Sequence, residues 1–465
     1  MPQNTSTSMS GPSPMSRRLF LGTTGALSLG AALTACGGSD SADSAGSGKP
    51  VARADIDKAM KTPTELTFWT WVPNIDKEVA LFEKRYPAVK VKVVNAGQGT
   101  PQYTKLRTAL KAGSGAPDLV QIEYQAIPTF TITNSLLDLR PYGATALKST
   151  FVDWTWSQIS GSDGEIWAIP QDTGPMGMLY RQDIFDRHGI DVPGTWDEFA
   201  AAARKLHKAD PDVLLTNLAA NQVAAWHGLL WQAGAKPYVT SGKSDIAISV
   251  DDAVSRKLGA YWGGLAKEGV IGVEPDFTDS WYAALNKGKY ATWITAAWGP
   301  VFLSGSAKAT AGKWRAAPLP QWDAAEPSSG NWGGSTTAVI RSTKNPVAAA
   351  VFAQFLNTDP ASAKMFATEQ FFFPATDALL KDTEFVSDAP SFYGGQKVNQ
   401  VFADISSTVN SSFQWPPFLD QAATDWTETV GKSLADRTDT VRALGSWQSR
   451  LTSYAKNQGF TVKGS

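Results

Sequence analysis

The stretch Glu65-Leu-Thr-Phe-Trp-Thr-Trp71 reads as a buried strand entered from Pro63, and its place at the head of an alternating series of elements decides the fold. Ile75, Val79, Phe82 and Tyr86 recur at the spacing of one helical face, and Pro87 ends that helix. The β-branched run Val89–Val94 is a second strand, 103–111 is helical, and Asp118-Leu-Val-Gln-Ile-Glu123 is a third strand. Strand, helix, strand, helix, strand predicts an α/β lobe with a parallel sheet and crossover helices. Ligands of such sheets sit outside the carboxyl ends of the strands. Those ends carry Trp69 and Trp71, then Gln98 between two glycines, then Glu123 and Tyr124. Trp69 is expected to pack inward, and Trp71, Gln98 and Glu123 are candidate ligand contacts, with Tyr103 and Tyr124 beside them.

Further along, the pattern repeats in kind. Residues 176–180 read as a strand. Thr195 and Glu198 form a capping box ahead of a helix whose buried face is Trp196, Phe199, Ala203 and Leu206. Helical stretches cover 222–234, 254–268 and 280–287, and 290–297 is a strand leading to Trp298-Gly-Pro. The segment 316–321 is extended, 335–341 is another strand, and 346–357 is a helix. The last stretch is mainly helical, with Trp426, Val430 and Leu434 on one face.

The first residues carry an address. Met15-Ser-Arg-Arg-Leu-Phe-Leu21 has the twin-arginine pair of a bacterial export signal, and the apolar run 19–32 is too short to span a bilayer. Leu33-Thr-Ala-Cys36 resembles a lipoprotein cleavage box, and Cys36 is the chain's single cysteine. Residues 1–35 are thus expected to be a signal peptide. Residues 36–62, rich in Gly, Ser and Asp up to Pro50, are expected to be a flexible tether. A lipid on Cys36 would hold the protein at the outer face of the cytoplasmic membrane.

Composition narrows the chemistry. With 42 basic and 43 acidic residues there is no field to attract nucleic acid. The three histidines lack metal-ligand spacing, so no metal site is expected, and no dinucleotide fingerprint or Ser-centred elbow points to a cofactor or to acyl chemistry. Gly97-Gln-Gly and Gly113-Ser-Gly lack the Lys-Ser/Thr of a phosphate-binding loop. Arg107, Arg140, Arg181 and Arg341 are scattered and suggest no anion clamp. What stands out is 18 Trp, 21 Phe and 11 Tyr.

Four stretches in register carry a resemblance. Ile169-Pro-Gln-Asp-Thr-Gly-Pro-Met-Gly-Met-Leu-Tyr-Arg-Gln-Asp-Ile-Phe185 with Thr195-Trp-Asp-Glu-Phe199 is one. Leu285-Asn-Lys-Gly-Lys-Tyr-Ala-Thr-Trp293 with Trp298-Gly-Pro300 is the second. Pro318-Leu-Pro320 with Asn331-Trp-Gly-Gly-Ser335, and Lys344-Asn-Pro-Val-Ala-Ala-Ala-Val-Phe352, complete the set. Together, over about 63–462, they resemble family 1 extracellular solute-binding proteins, the maltose-binding-protein-like lipoprotein receptors of sugar ABC importers.

The resemblance implies an α/β, two-lobed periplasmic-binding-protein-like fold. Each lobe would hold a mainly parallel sheet flanked by helices, and a multi-segment hinge would join them. It places the first lobe at 63–170 and 317–342, the second at 171–316 and 343–465, and the crossings near 169–172, 314–319 and 342–345. It implies a monomer that captures a carbohydrate, most plausibly an oligosaccharide, and delivers it to importer permease subunits. Trp298 and Trp332 would stack on sugar rings, Asp172 would either bind ligand or cap the turn after it, and Asp279 and Trp281 are further candidates. Two other readings stay open. One keeps the fold but binds a glycerophosphate, peptide or polyamine. The other is a secreted glycoside hydrolase using two of Glu123, Asp172 and Asp279, for which paired carboxyls suffice.

Overall fold

The strand that opens the fold, β1 (Thr64–Trp69), buries Leu66 and Phe68 and exposes Glu65, the alternation of a pleated strand covered on one face. In the computed structural model, which describes residues 49–463 other than Lys243, ten further strands join it. They are β2 (Val89–Val94), β3 (Leu119–Glu123), β4 (Ile169–Pro170), β5 (Met176–Arg181), β6 (Tyr238–Ser241), β7 (Asp245–Ile248), β8 (Thr292–Ala296), β9 (Trp314–Pro318), β10 (Ser335–Val339) and β11 (Thr461–Lys463). They make three sheets, ordered β2-β1-β3-β10-β4, β8-β5-β9 and β11-β7-β6.

In the first sheet β1 runs parallel to β2 and β3, with Thr64 opposite Val89 and Phe68 opposite Leu119. The helices Asp76–Arg85 and Thr100–Ala112 make the crossovers, as the βαβ pattern requires. β10 joins this sheet antiparallel, Ser335 opposite Glu123, so residues more than 200 positions apart share one edge. Helix Pro346–Thr358 then lays Ala349, Phe352 and Leu356 on the same core, beside Phe68 and Phe82.

The second lobe departs from the expected parallel sheet. β5 pairs antiparallel with both β8 and β9. Its core holds Trp196, Trp226, Trp231, Trp262, Trp426 and Trp447, and a neighbouring core packs Trp281, Trp293 and Trp314. The capping box forms as expected: Glu198 N–H donates to Thr195 Oγ1 at 3.2 Å, and Thr195 N–H donates to Glu198 Oε2 at 3.0 Å.

The packing redraws the lobe limits set at 317, 343 and 62. The stretch 314–319, expected as a crossing, belongs to the second lobe because β9 completes the sheet of β5. The helix after 343 belongs to the first lobe because its apolar face has no other sheet to cover. The chain instead crosses at 331–335 and again at 371–376, where Thr173 N–H donates to the Phe373 carbonyl at 2.8 Å. Isolated bridges tie Asp172 to Pro374 and Pro175 to Asn331, so the three crossing segments lie side by side. The tether is likewise shorter than expected. Residues Arg53–Ala59 form a helix, Met60 is buried in the first core, and Val51 N–H donates to the Pro141 carbonyl at 2.8 Å. The signal sequence and Cys36 lie outside the described residues.

Candidate functional site

The first-lobe wall is built at the carboxyl ends of β1 and β3. Gln121 is its fixed point. Its side-chain oxygen accepts from Thr70 Oγ1 at 2.7 Å and from Trp71 N–H at 3.1 Å, while its amide donates to Ser335 Oγ at 2.8 Å. Trp71 is thereby aimed edge-on at Tyr103, with ring centres 6.5 Å apart. The Tyr103 hydroxyl donates to Glu123 Oε2 at 3.0 Å and accepts from Glu123 N–H at 3.0 Å, which locks the carboxylate in place. Burial pushes the Glu123 carboxyl upward. Gln98 is exposed in the turn before helix Thr100–Ala112, between glycines at φ 114° and 61°. A Cβ on Gly99 would stand 3.7 Å from Glu123 Oε2.

Asp172 sits in the first crossing segment, buried, and accepts from Ser335 N–H at 3.0 Å and from the Ser335 hydroxyl. Burial pushes its carboxyl to about 7, and the charge of Glu123 acts in the same direction. Gly334, at φ 83°, allows the second crossing to press against this group, because a Cβ there would meet the Asp172 carbonyl at 2.8 Å.

The second-lobe wall is aromatic. Trp298 Nε1–H donates to the Trp332 carbonyl at 2.7 Å, and the two rings stand 4.8 Å apart at 82°. Phe277 leans on both, at 6.0 and 6.3 Å, and Trp281 packs behind it at 5.7 Å. The walls meet because Gly174, two residues after Asp172, has no side chain. A Cβ there would lie 2.0 Å from the Trp332 carbonyl oxygen.

Away from the crossings, a cavity of about 150 Å³ lies between the lobes. Tyr103, Arg107, Glu123 and Gln125 line it from one side, and His227, Trp415, Leu419 and Asp420 from the other. Arg107 spans the lobes to Asp420 at 2.7 Å, so its charge is matched. His227 is neutral: burial lowers its pKa to about 4, and its ring nitrogens meet the Val223 carbonyl at 3.0 Å and the Tyr238 hydroxyl at 3.2 Å.

The structure thus gathers Trp71, Tyr103, Glu123 and Asp172 on one wall, with Gln98 at its rim, and Trp298 and Trp332 on the other. Tyr124 is wholly buried against Trp154, behind the first wall rather than on it. Trp281 is buried behind Phe277. Asp279 is exposed at the first turn of helix Asp279–Lys287, where a carboxylate complements the helix dipole. Sequence reading passed over Phe277 and Trp415. The one signal for Trp415 is its place in a proline-flanked loop, Gln414-Trp-Pro-Pro.

The chain matches the family of bacterial extracellular solute-binding proteins over residues 69–363. It belongs to that family. Its relatives include an arabinooligosaccharide-binding protein of Halalkalibacterium halodurans, 26% identical over 361 residues, covering 75% of this chain and 80% of the relative. A lactose-binding protein of Rhizobium radiobacter is 24% identical over 372 residues, covering 73% and 81%. Among solved structures, the ABC transporter associated binding protein from B. animalis subsp. lactis, in complex with beta-1,6-galactobiose, is 31% identical with a TM-score of 0.73. The similarity covers 86% of this chain and 99% of that one. In a solute-binding protein, clustered aromatic rings and hydrogen-bonded carboxyls suit a neutral ligand with apolar faces and many hydroxyls.

Proposed function

We propose that this receptor captures an oligosaccharide in the cleft between its lobes and passes it to the permease of an ABC importer. The observation that carries this reading is the pairing of the Trp298–Trp332 rings with the Tyr103–Glu123 and Asp172 acceptors across the crossing segments. Sugar C–H faces stack on rings, and sugar hydroxyls donate to carboxylates. The sugar-binding relatives support the same ligand class.

Transport requires no chemistry on the ligand, and a bound oligosaccharide should be recovered intact after long incubation. The mechanism rests on the two walls belonging to different lobes. A ligand touching both favours the closed arrangement by its differential affinity for it, and the permease reads the closed outer surfaces. The same reading includes a monomer, exported through its twin-arginine leader and anchored by lipid on Cys36.

The test is a thermal-shift screen of the purified full-length protein against mono- and oligosaccharides, with glycerophosphates, peptides and polyamines alongside. A ligand at a hundred times its dissociation constant adds about 2.7 kcal/mol. Stabilisation by sugars alone is expected. Stabilisation by glycerophosphates, peptides or polyamines and by no sugar would overturn the ligand class while leaving the family intact.

A further inference from the structure

Four of the seven large apolar side chains that stand exposed among the described residues, namely Phe277, Val301, Phe302 and Phe371, gather around one helix, Gly299–Ser306. The Phe277 and Phe302 rings are 6.3 Å apart, and Phe302 touches Trp298 at 5.6 Å. Val301, next along the helix, lines a second cavity together with Phe371. Exposed apolar side chains therefore stand both beside the aromatic wall of the cleft and on the lining of that cavity, with Phe302 and Val301 adjacent on the helix between them.

Backbone geometry marks the same two ends of the band. Of the five non-glycine residues at positive φ among the described residues, two are asparagines, which tolerate it, and two are Phe277 and Phe371, at 57° and 60°. A bulky aromatic is costly in that conformation, and such strain concentrates at ligand-contacting positions. Ring packing against Trp281, Trp298 and Trp332 offsets part of that cost at Phe277, but Phe371 is 57% exposed.

The second cavity measures about 530 Å³, more than three times the 150 Å³ beside Glu123 and within the range of small-molecule sites. It lies between helix Pro360–Thr368, which packs on the first lobe through Phe366, and the second lobe's Phe392 and Tyr393. Glu384 and Lys364, paired at 2.6 Å, stand on its lining with Asn399. Rings below and hydroxyl partners beside them repeat the chemistry of the cleft.

We infer that the ligand site continues past Trp298 and Trp332, over Phe277 and Phe302, into the cavity at Phe371, so that the receptor holds an oligosaccharide whose outer rings stack there. This rests on the sugar reading and adds a requirement of length.

The experiment is calorimetric titration of the full-length protein with galacto- and arabino-oligosaccharides from disaccharide to hexasaccharide. It is repeated on Phe371→Asn, which keeps a residue suited to positive φ, and on Trp298→Ala. For the unaltered protein, affinity should rise beyond the disaccharide. Phe371→Asn should lose about tenfold for the longest ligand bound and less than about twofold for the disaccharide, a difference of one lost stacking contact. Equal binding at every length by Phe371→Asn, or an equal loss at every length, overturns the extension. Trp298→Ala then still reports on the sugar reading by its own loss. Unchanged sugar binding with impaired transporter stimulation in Phe371→Asn would give this face to the permease and overturn the extension too. No binding of any sugar by the unaltered protein overturns both readings.

Discussion

The two walls of the cleft are held by different forces. On the first lobe, the central polar groups are tied to strand backbone or to a neighbour by directional bonds: Gln121 to Thr70, Trp71 and Ser335, Tyr103 to Glu123, Ser335 to Asp172. On the second lobe, Trp298 donates to the Trp332 carbonyl and Trp332 N–H to the Gly174 carbonyl, and the Trp298, Trp332 and Phe277 rings otherwise hold one another by edge-to-face and tilted packing. The polar wall owes its geometry to sheet register, and the aromatic wall owes its geometry to how closely backbones approach. Perturbing either should have recognisably different consequences.

The largest effect is expected where close approach is denied. Gly174→Ala drives a Cβ into the Trp332 carbonyl, and that backbone has no rotamer by which to yield. Unfolding in urea should show a loss of about 3 kcal/mol, the upper end of overpacking, and ligand affinity should fall with it. An unperturbed Gly174→Ala protein would mean that the Asn331-Trp-Gly-Gly loop moves freely. Trp298→Ala should leave the fold less affected because its ring is only half-buried, yet cost about 1–3 kcal/mol in sugar binding by calorimetry. Unchanged affinity in that variant would remove the ring wall from the site.

The polar wall should betray itself through pH. Asp172 keeps its proton up to about 7, whereas the unfolded chain sheds it near the ordinary value of 3.8. Between those values the unfolded state binds fewer protons, so this carboxyl subtracts stability progressively as pH rises through the window. Asp172→Asn should abolish that decline, gaining on the order of a few kcal/mol above about pH 7. His227 works in the opposite sense. Its pKa falls from 6.5 to about 4, so its contribution is lost as pH drops through that interval, in variant and parent alike. Melting temperatures recorded from about pH 4 to 8 separate the two, and parallel curves for parent and Asp172→Asn would place the carboxyl outside a low-dielectric site.

The same contrast explains what could be read in advance. The parallel β2-β1-β3 order comes from local alternation and helical spacing within 60 residues, and Glu123 and Trp71 come from strand ends. The capping box at Thr195 and Glu198 was equally legible because it is local. The antiparallel pairing of β5 with β9, some 130 residues on, has no local signature, and neither has the return of helix Pro346–Thr358 to the first sheet. Phe277 escaped for another reason. It lies in a turn at positive φ, outside any apolar period, and only the neighbouring rings give it meaning. Tyr124 and Trp281 are residue types suited to ligand contact, and the structure buries their rings against Trp154 and Phe277.

The smallest effect concerns the ion pair that joins the walls across the 150 Å³ cavity, Arg107 with Asp420 at 2.7 Å. Both side chains keep substantial exposure, at 36% and 49%, so water and salt screen the attraction, and such pairs contribute about 0–1 kcal/mol. The pair exists only while the lobes are together, so that small energy favours the closed arrangement and enters ligand affinity directly. Arg107→Ala and Asp420→Ala should each weaken sugar binding by less than about fivefold. A double-mutant cycle should return a coupling below about 1 kcal/mol that fades as ionic strength rises. Trp298→Ala, by contrast, should lose the same affinity at low and high salt, because stacking carries no net charge. A coupling energy above about 2 kcal/mol that persists in high salt would show the pair to be desolvated in the bound state, and the polar wall would then continue onto the second lobe.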